Sequence, residues 1–333
     1  VAAGTGNDTI SFASSVSNAV VSAGNGNDSV VFNALVTSST VYGGGGAQTM
    51  VFSSAADSLT FSGNFGAGFI SLGLGADTVA FQGSALTGTT LTGLSESGDR
   101  VSLLGSNTMV FGSDGIATGA LVSFGSNNDM ATFSGAVGAA TIYGGAGADS
   151  LVFSSVGLTG TTLSGGAGAD VFSGSVTIGN SGVSFWGGAD ADTFNFSSFT
   201  GSGSGTAYFW NDTAAADSIV FRSVVSGGSG ASGNAAGVFF GITSGAGLAI
   251  SFLDSQTSAS FGSGISNLFQ VNNNLVSFGI NSSNYITLSF VGGGGITLQG
   301  FDTAEAKAIT NTFGSAGGGT ALFGVASSFP TFS

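Results

Sequence analysis

The chain has 333 residues, with 61 Gly, 30 Phe, 1 Pro and neither Cys nor His, and its 17 acidic residues face only three basic ones, for a formal net charge of −14. That balance removes the electrostatic basis of nucleic-acid binding, and the missing Cys and His remove disulfides, thiol catalysis, the usual general base and most zinc sites. An apolar content of 42% argues against disorder, no apolar run is long enough for a membrane span, and the acids need a partner that the chain's own cations cannot supply.

From the start of the chain, GTGNDTISF (4–12), GNGNDSVVF (24–32) and GGGAQTMVF (44–52) recur every 20 residues. The pattern returns as GLGADTVAF (73–81), GSNNDMATF (125–133), GAGADSLVF (145–153), GGAGADVF (165–172), GGADADTFNF (187–196) and AAADSIVF (214–221). A longer repeat lies over it: residues 52–94 and 124–166 align without a gap at an offset of 72 and share LTGTTL in register. Apolar residues stand two and four positions after the acidic one, as in Val30/Phe32, Leu59/Phe61, Val79/Phe81 and Leu151/Phe153. That spacing places both side chains on one face of a strand. A second short strand precedes most turns, as in AVVSA (19–23), STVYG (39–43) and ATIYG (140–144).

A unit of about 20 residues with two short strands is one coil of a β-solenoid, which buries its apolar face only by stacking on its neighbours. Stacked coils lie ~4.8 Å apart, so equivalent phenylalanines form a column, and proline is scarce because each strand N–H needs a partner. The fold expected is all-β: a β-solenoid, a parallel β-roll over residues 1–225, followed by a β-rich C-terminal cap over 226–333. No helix is expected before residues 302–313.

GGAGADSLV (144–152) and GGAGADVFS (165–173) fit every position of the nonapeptide GGxGxDxUx, in which U is a large apolar residue. GGADADTFN (187–195) departs only by Asp190 in place of the third glycine. Over about residues 1–221 the chain therefore resembles the repeats-in-toxin (RTX) family of calcium-binding β-rolls. The resemblance implies Ca²⁺ held between stacked turns by glycine carbonyls and Asp carboxylates, an oxygen-rich set that suits a hard cation. By that resemblance Asp149, Asp170 and Asp192 are the first candidate ligands, with Asp190 an added carboxylate. Asp8, Asp28, Asp77, Asp129 and Asp217 occupy the same repeat position in weaker turns. Gln48 replaces the acid, and the motif comes once per coil, so only one edge of the roll is expected to hold metal. The same Asp residues could instead serve as turn formers that hydrogen-bond their own backbone.

Beyond residue 222 the repeat fades. SGGSGASGNAAG (226–237) reads as a loop, and strand-like runs follow from VFFGI (238–242) to GITLQGF (296–301). NNN (272–274) and GGGG (292–295) read as hairpin turns. The stretch ITLSFVGGGGITLQGFDTAEAKAITNTF (286–313) resembles the C-terminal end of RTX proteins, which implies an uncleaved type I secretion signal; a cap that ends the solenoid is the other reading.

Nothing in this inventory makes an enzyme: the acid pair Asp190 and Asp192 suits calcium better than glycoside chemistry. A secreted structural protein is expected, extracellular or at the cell surface. The chain begins at Val1 inside a repeat, so a second copy is expected to cover the open edge head to tail, as a filament or lattice subunit. An adhesin or spacer module of a larger surface protein is the alternative, and a cell-surface glycan is a further candidate partner. Ice binding is weaker, because the Thr tracts do not recur in each coil.

Overall fold

A computed structural model describes residues 1–201, apart from Asn64 and residues 83–85, and beyond them the strands that lie between Thr206 and Val325. The chain divides into two compact units, Val1–Gly157 and Leu158–Ser333. Both are all-β, with no helix among the described residues. The parallel β-solenoid expected from the repeat is the fold.

In the first unit the chain passes back and forth between two sheets. One sheet holds, in order, Ala2–Thr5, Val20–Asn25, Ser39–Tyr42, Ser58–Ser62, Thr78–Gln82, Arg100–Leu103, Leu121–Ser123 and Thr141–Ala146. The other holds Thr9–Phe12, Ser29–Phe32, Thr49–Val51, Phe69–Ser71, Thr87–Thr92, Thr108–Phe111, Met130–Phe133 and Ser150–Leu158. Each strand pairs in parallel with its equivalent one coil on, so Ile10 lies opposite Val30, Val30 opposite Met50, and Met50 opposite Ile70. Alternate side chains enter the core: Val30 and Phe32 are buried while Ser29 and Val31, which alternate with them, are not.

Glycines let the turns stack. Gly24 has φ 97° and Gly44 φ 87°, a region costly for any residue with a Cβ. Each also packs on the glycine one coil before it: a Cβ on Gly24 would collide with the Gly4 carbonyl, and one on Gly44 with that of Gly24.

The core is a set of ring stacks. Phe12, Phe32 and Phe52 stack in succession with ring centroids 4.8 Å apart and planes nearly parallel. The next ring, Phe61, meets Phe52 edge-on at 6.0 Å, because it projects from the opposite sheet, and a new stack begins at Phe61–Phe81. The stack returns to the second sheet as Phe111, Phe133 and Phe153, at 4.9 and 5.3 Å. Burying each ring contributes about 1.5–3 kcal/mol and each ring pair a further ~0.5–1.5 kcal/mol.

These switches of sheet give the long repeat its meaning. Thr78–Gln82 and Ser150–Leu158 are equivalent at the 72-residue offset, yet they lie in different sheets. The offset is three and a half coils, so the duplicated segment is laid down half a coil out of phase.

In the second unit Thr162–Ala167, Val183–Ala189, Thr206–Trp210, Gly237–Gly241, Phe269–Val271 and Phe323–Val325 form one parallel sheet. Val171–Ile178, Thr193–Gly201, Asp217–Phe221, Gly247–Phe252 and Gly295–Gln299 form the other. Phe172 stacks on Phe194, and Phe185 on Phe209, both at 4.8 Å. Parallel pairing thus continues past residue 226, where the sequence repeat has faded. Ile286–Phe290 and Gly295–Gln299, on either side of the expected turn, pair antiparallel, while 292–294 of GGGG (292–295) lie outside the described residues. NNN (272–274) lies outside the described residues, and the strands on either side of it, Phe269–Val271 and Leu275–Ile280, belong to different sheets. The helix candidate at 302–313, and with it most of the C-terminal signal segment, lies outside the described residues.

Candidate metal centre

At one edge of the first unit, where the chain leaves the first sheet for the second, an acid or amide occupies the last position before the strand. Its role there is a cap on the coil before. The backbone N–H of Asp8 donates to Asp28 Oδ1 at 2.9 Å, that of Asn107 to Asp129 Oδ1 at 2.6 Å, and that of Asp129 to Asp149 Oδ1 at 2.8 Å. The carbonyls at these positions join the strand ladder, as in Ser29 N–H to Asp8 O at 2.9 Å. The carboxylate therefore supplies the acceptor that the turn denies to one N–H per coil. In the second unit Asp170 N–H donates to Asp192 Oδ1 and Asp192 N–H to Asp217 Oδ1, at 2.8 and 2.9 Å.

A second row runs along the opposite edge. Val36 N–H donates to Asp57 Oδ1 at 2.7 Å, Asp57 N–H to Asp77 Oδ1 at 2.7 Å, and Asp77 N–H to Asp99 Oδ1 at 2.8 Å. The expectation of a single acidic edge is corrected here. Asp57 follows Gln48 by nine residues and Asn107 follows Asp99 by eight, each about half a coil. Those two short steps move the row across the solenoid and back, in company with the phenylalanine stack.

One oxygen of each carboxylate is used by the cap, and the other is turned inward. Oδ2 of Asp28, Asp57, Asp77, Asp99 and Asp129 is buried and receives no hydrogen bond. A buried carboxylate oxygen without a donor is costly unless a cation or proton meets it. In the second unit the turn glycines pack closely against the carboxylates of the row. A Cβ on Gly165 would collide with Asp170 Oδ2 and lie 2.6 Å from the Gly187 carbonyl oxygen, and a Cβ on Gly187 would collide with Asp192 Oδ2. A carboxylate from one turn and a carbonyl from the next thus line one small space, an oxygen donor set that fits calcium. Among the described residues no three His, Cys, Asp or Glu side chains gather at one point, since each coil contributes one carboxylate and the remaining donors are main-chain oxygens.

Residues 132–154 and 158–176 match the family model of the RTX calcium-binding nonapeptide repeat, in four copies. The chain carries RTX nonapeptide repeats on its parallel β-solenoid. Its matched repeats are calcium-binding motifs, and Ca²⁺ is the cofactor they take. No curated protein matches the chain.

Within this β-roll the acids are poised between proton and metal. Burial raises Asp77 to about 7, a rise reinforced by the charges of Asp57 and Asp99 and opposed by the Asp57 N–H. Burial likewise raises Asp129 to about 6, with the charge of Asp149 adding and the Asn107 backbone and side-chain donors opposing. Asp57, Asp99 and Asp149 are raised by the same burial.

Of the residues expected as ligands, Asp28, Asp77, Asp129, Asp149, Asp170, Asp192 and Asp217 are buried in the two rows, and Asp8 is half-buried at the start of one. Within the first unit, Asp77 stands on the edge opposite Asp8, Asp28, Asp129 and Asp149. Asp190 is exposed, with φ 80°, so it fills a backbone position that the nonapeptide gives to glycine and stands outside the row. Asp57 and Asp99 belong to the second row and were missed. The signal was present in Asp57-Ser-Leu59-Thr-Phe61 and Asp99-Arg-Val101-Ser-Leu103, the acid followed by apolar residues at two and four, but neither has the full glycine series.

Proposed function

We propose that the chain is a secreted, non-enzymatic structural protein whose two acidic edges take calcium, and that calcium-stiffened coils assemble into an extracellular fibre, surface layer or matrix. The observation that carries the calcium part is the row of buried carboxylates, in which Oδ2 of Asp28, Asp57, Asp77, Asp99 and Asp129 receives no hydrogen bond. The protein's part is to present these oxygens in a rigid, water-poor corner. The cap holds Oδ1 on the neighbouring N–H, so Oδ2 is pre-aimed and little ordering remains to be done when the ion arrives. Bound calcium supplies positive charge between coils that otherwise stack carboxylate over carboxylate.

The assembly part is supported by the outer faces. The row Ser29, Thr49, Phe69, Thr90, Val110 and Thr132 on the second sheet carries no charge and repeats at the strand spacing. No His or Cys is available for catalysis, and Asp190 is exposed while Asp192 is buried, so the two do not act as a carboxylate pair. Negative-stain microscopy with and without millimolar calcium tests this reading: ordered fibres or sheets that depend on calcium are expected, and monodisperse single particles under both conditions would remove the assembly proposal.

A further inference from the structure

The first-edge row is interrupted by two amides, Gln48 and Asn107, both almost fully buried. Their nitrogens do something the acids cannot. Gln48 Nε2 donates to the carbonyls of Gly26, at 2.9 Å, and Gly45, at 3.3 Å, which belong to two successive turns. Asn107 Nδ2 donates to the carbonyl of Gly105 at 2.8 Å and to Asp129 Oδ1 at 2.9 Å. The Gln48 NH₂ group bridges carbonyls of two successive turns, and that of Asn107 bridges a turn carbonyl and the capping Oδ1 of Asp129, whose Oδ2 receives no hydrogen bond. Asn107 also keeps the cap, since its Oδ1 accepts the Leu86 N–H at 3.4 Å.

Their positions explain the choice. Gln48 is the last member of the row before it crosses to Asp57 on the other edge, and Asn107 is the first after it returns from Asp99. Within a row, an ion between two coils would have one carboxylate on each of them to offset its charge. At the end of a row an acid stands on one side only, Asp28 beside Gln48 and Asp129 beside Asn107. A neutral amide donates two N–H groups and carries no charge, so it satisfies main-chain oxygens where a full cation would be under-compensated.

We propose that the side-chain amides of Gln48 and Asn107 occupy cation positions of the β-roll, closing the ends of the acid rows without metal and so setting how many ions the first edge holds. This rests on the calcium reading of the acid rows. The proposal is tested with the isosteric variants Gln48→Glu and Asn107→Asp, each of which removes the donors and adds a carboxylate. Calcium bound per chain, by equilibrium dialysis and calorimetry, is expected to rise by one in each variant. The thermal midpoint in chelator is expected to fall below wild type, and the gain on adding calcium to exceed wild type's.

A variant with β-rich circular dichroism and wild-type stoichiometry overturns the proposal. Should a variant fail to fold, the wild-type chain still decides. With ¹⁵N-asparagine labelling, the Asn107 side-chain protons are expected to exchange slowly both in chelator and in calcium, and rapid exchange or displacement of that signal by calcium overturns it. A wild-type chain that binds no calcium overturns the reading of the rows themselves, and this inference with it.

Discussion

Asp57 donates its backbone N–H to Asp77 Oδ1 at 2.7 Å, one coil along, and the second oxygen of each carboxylate is buried with no donor. One acid therefore does two jobs: it caps its neighbour's backbone and leaves a charged oxygen in a dry corner. The first job needs no metal. The second leaves the fold with a cost that either a proton or a cation removes.

The proton comes first in the absence of metal. Asp77 is raised to about 7 and Asp129 to about 6, against ~3.9 for an unfolded chain. Between these limits the folded protein binds more protons than the unfolded one, so raising the pH through that window destabilises it. We expect the thermal midpoint in chelator to be highest near pH 4 and to decline toward pH 8, with calcium reversing the decline and releasing protons as it binds. Asp77→Asn retains the Oδ1 acceptor and removes one titrating group, so its pH profile should be flatter. Midpoints recorded across pH in chelator check this, and a rising profile contradicts it.

Cap and ligand can be separated at Asp192. Its Oδ1 accepts the Asp170 N–H at 2.8 Å. Asp192→Asn keeps an acceptor there and removes the charge, so the chelated protein should be little changed while calcium binding falls. Asp192→Ala also strands the buried N–H, which costs about 1–3 kcal/mol more. The comparison is read as the difference in midpoint between the two variants in chelator; equal midpoints would deny the cap its role.

The close packing of glycine against carboxylate is tested at Gly187. A Cβ there meets the Asp192 side chain, whose Oδ2 must then leave its position. Gly187→Ala should lower the number of calcium ions bound and shrink the calcium-induced rise in midpoint. Gly63→Ala is the contrast on the backbone side: Gly63 has φ 89° and, among the described residues, only Tyr42 near its missing Cβ, so it should cost conformational strain of about 1–2 kcal/mol and leave calcium stoichiometry unchanged. Dialysis on both variants separates the two effects.

Much of this architecture was legible in the chain because a parallel coil copies itself: equivalent residues stack on one another, and the period of the sequence is the period of the fold. Phe12, Phe32 and Phe52 were readable as a column for that reason. The crossing of the acid row was not read, since it depends on phase. Asp77 sits in a motif much like that of Asp149, and local composition does not say which sheet comes next. The information lay in the intervals, nine residues from Gln48 to Asp57 and eight from Asp99 to Asn107, each too short for a coil. Asp190 shows the reverse: its carboxyl reads as an added ligand in the sequence, and the structure places it exposed, on a backbone at φ 80° where the nonapeptide has glycine.

The phenylalanine stack should hold whether or not the edges are filled. Phe133 is fully buried, with Phe111 at 4.9 Å on one side and Phe153 at 5.3 Å on the other. Phe133→Ala opens a cavity in a parallel stack whose neighbours are held by their own strand ladders and cannot close in. The expected cost is ~3–5 kcal/mol. In a solenoid each coil contacts only the next, so this loss divides the structure locally rather than uniformly. Hydrogen exchange should therefore quicken first in Thr108–Phe111, Met130–Phe133 and Ser150–Leu158, and by a similar factor in chelator and in calcium. If calcium restored full protection there, the edges rather than the rings would be what binds these coils together.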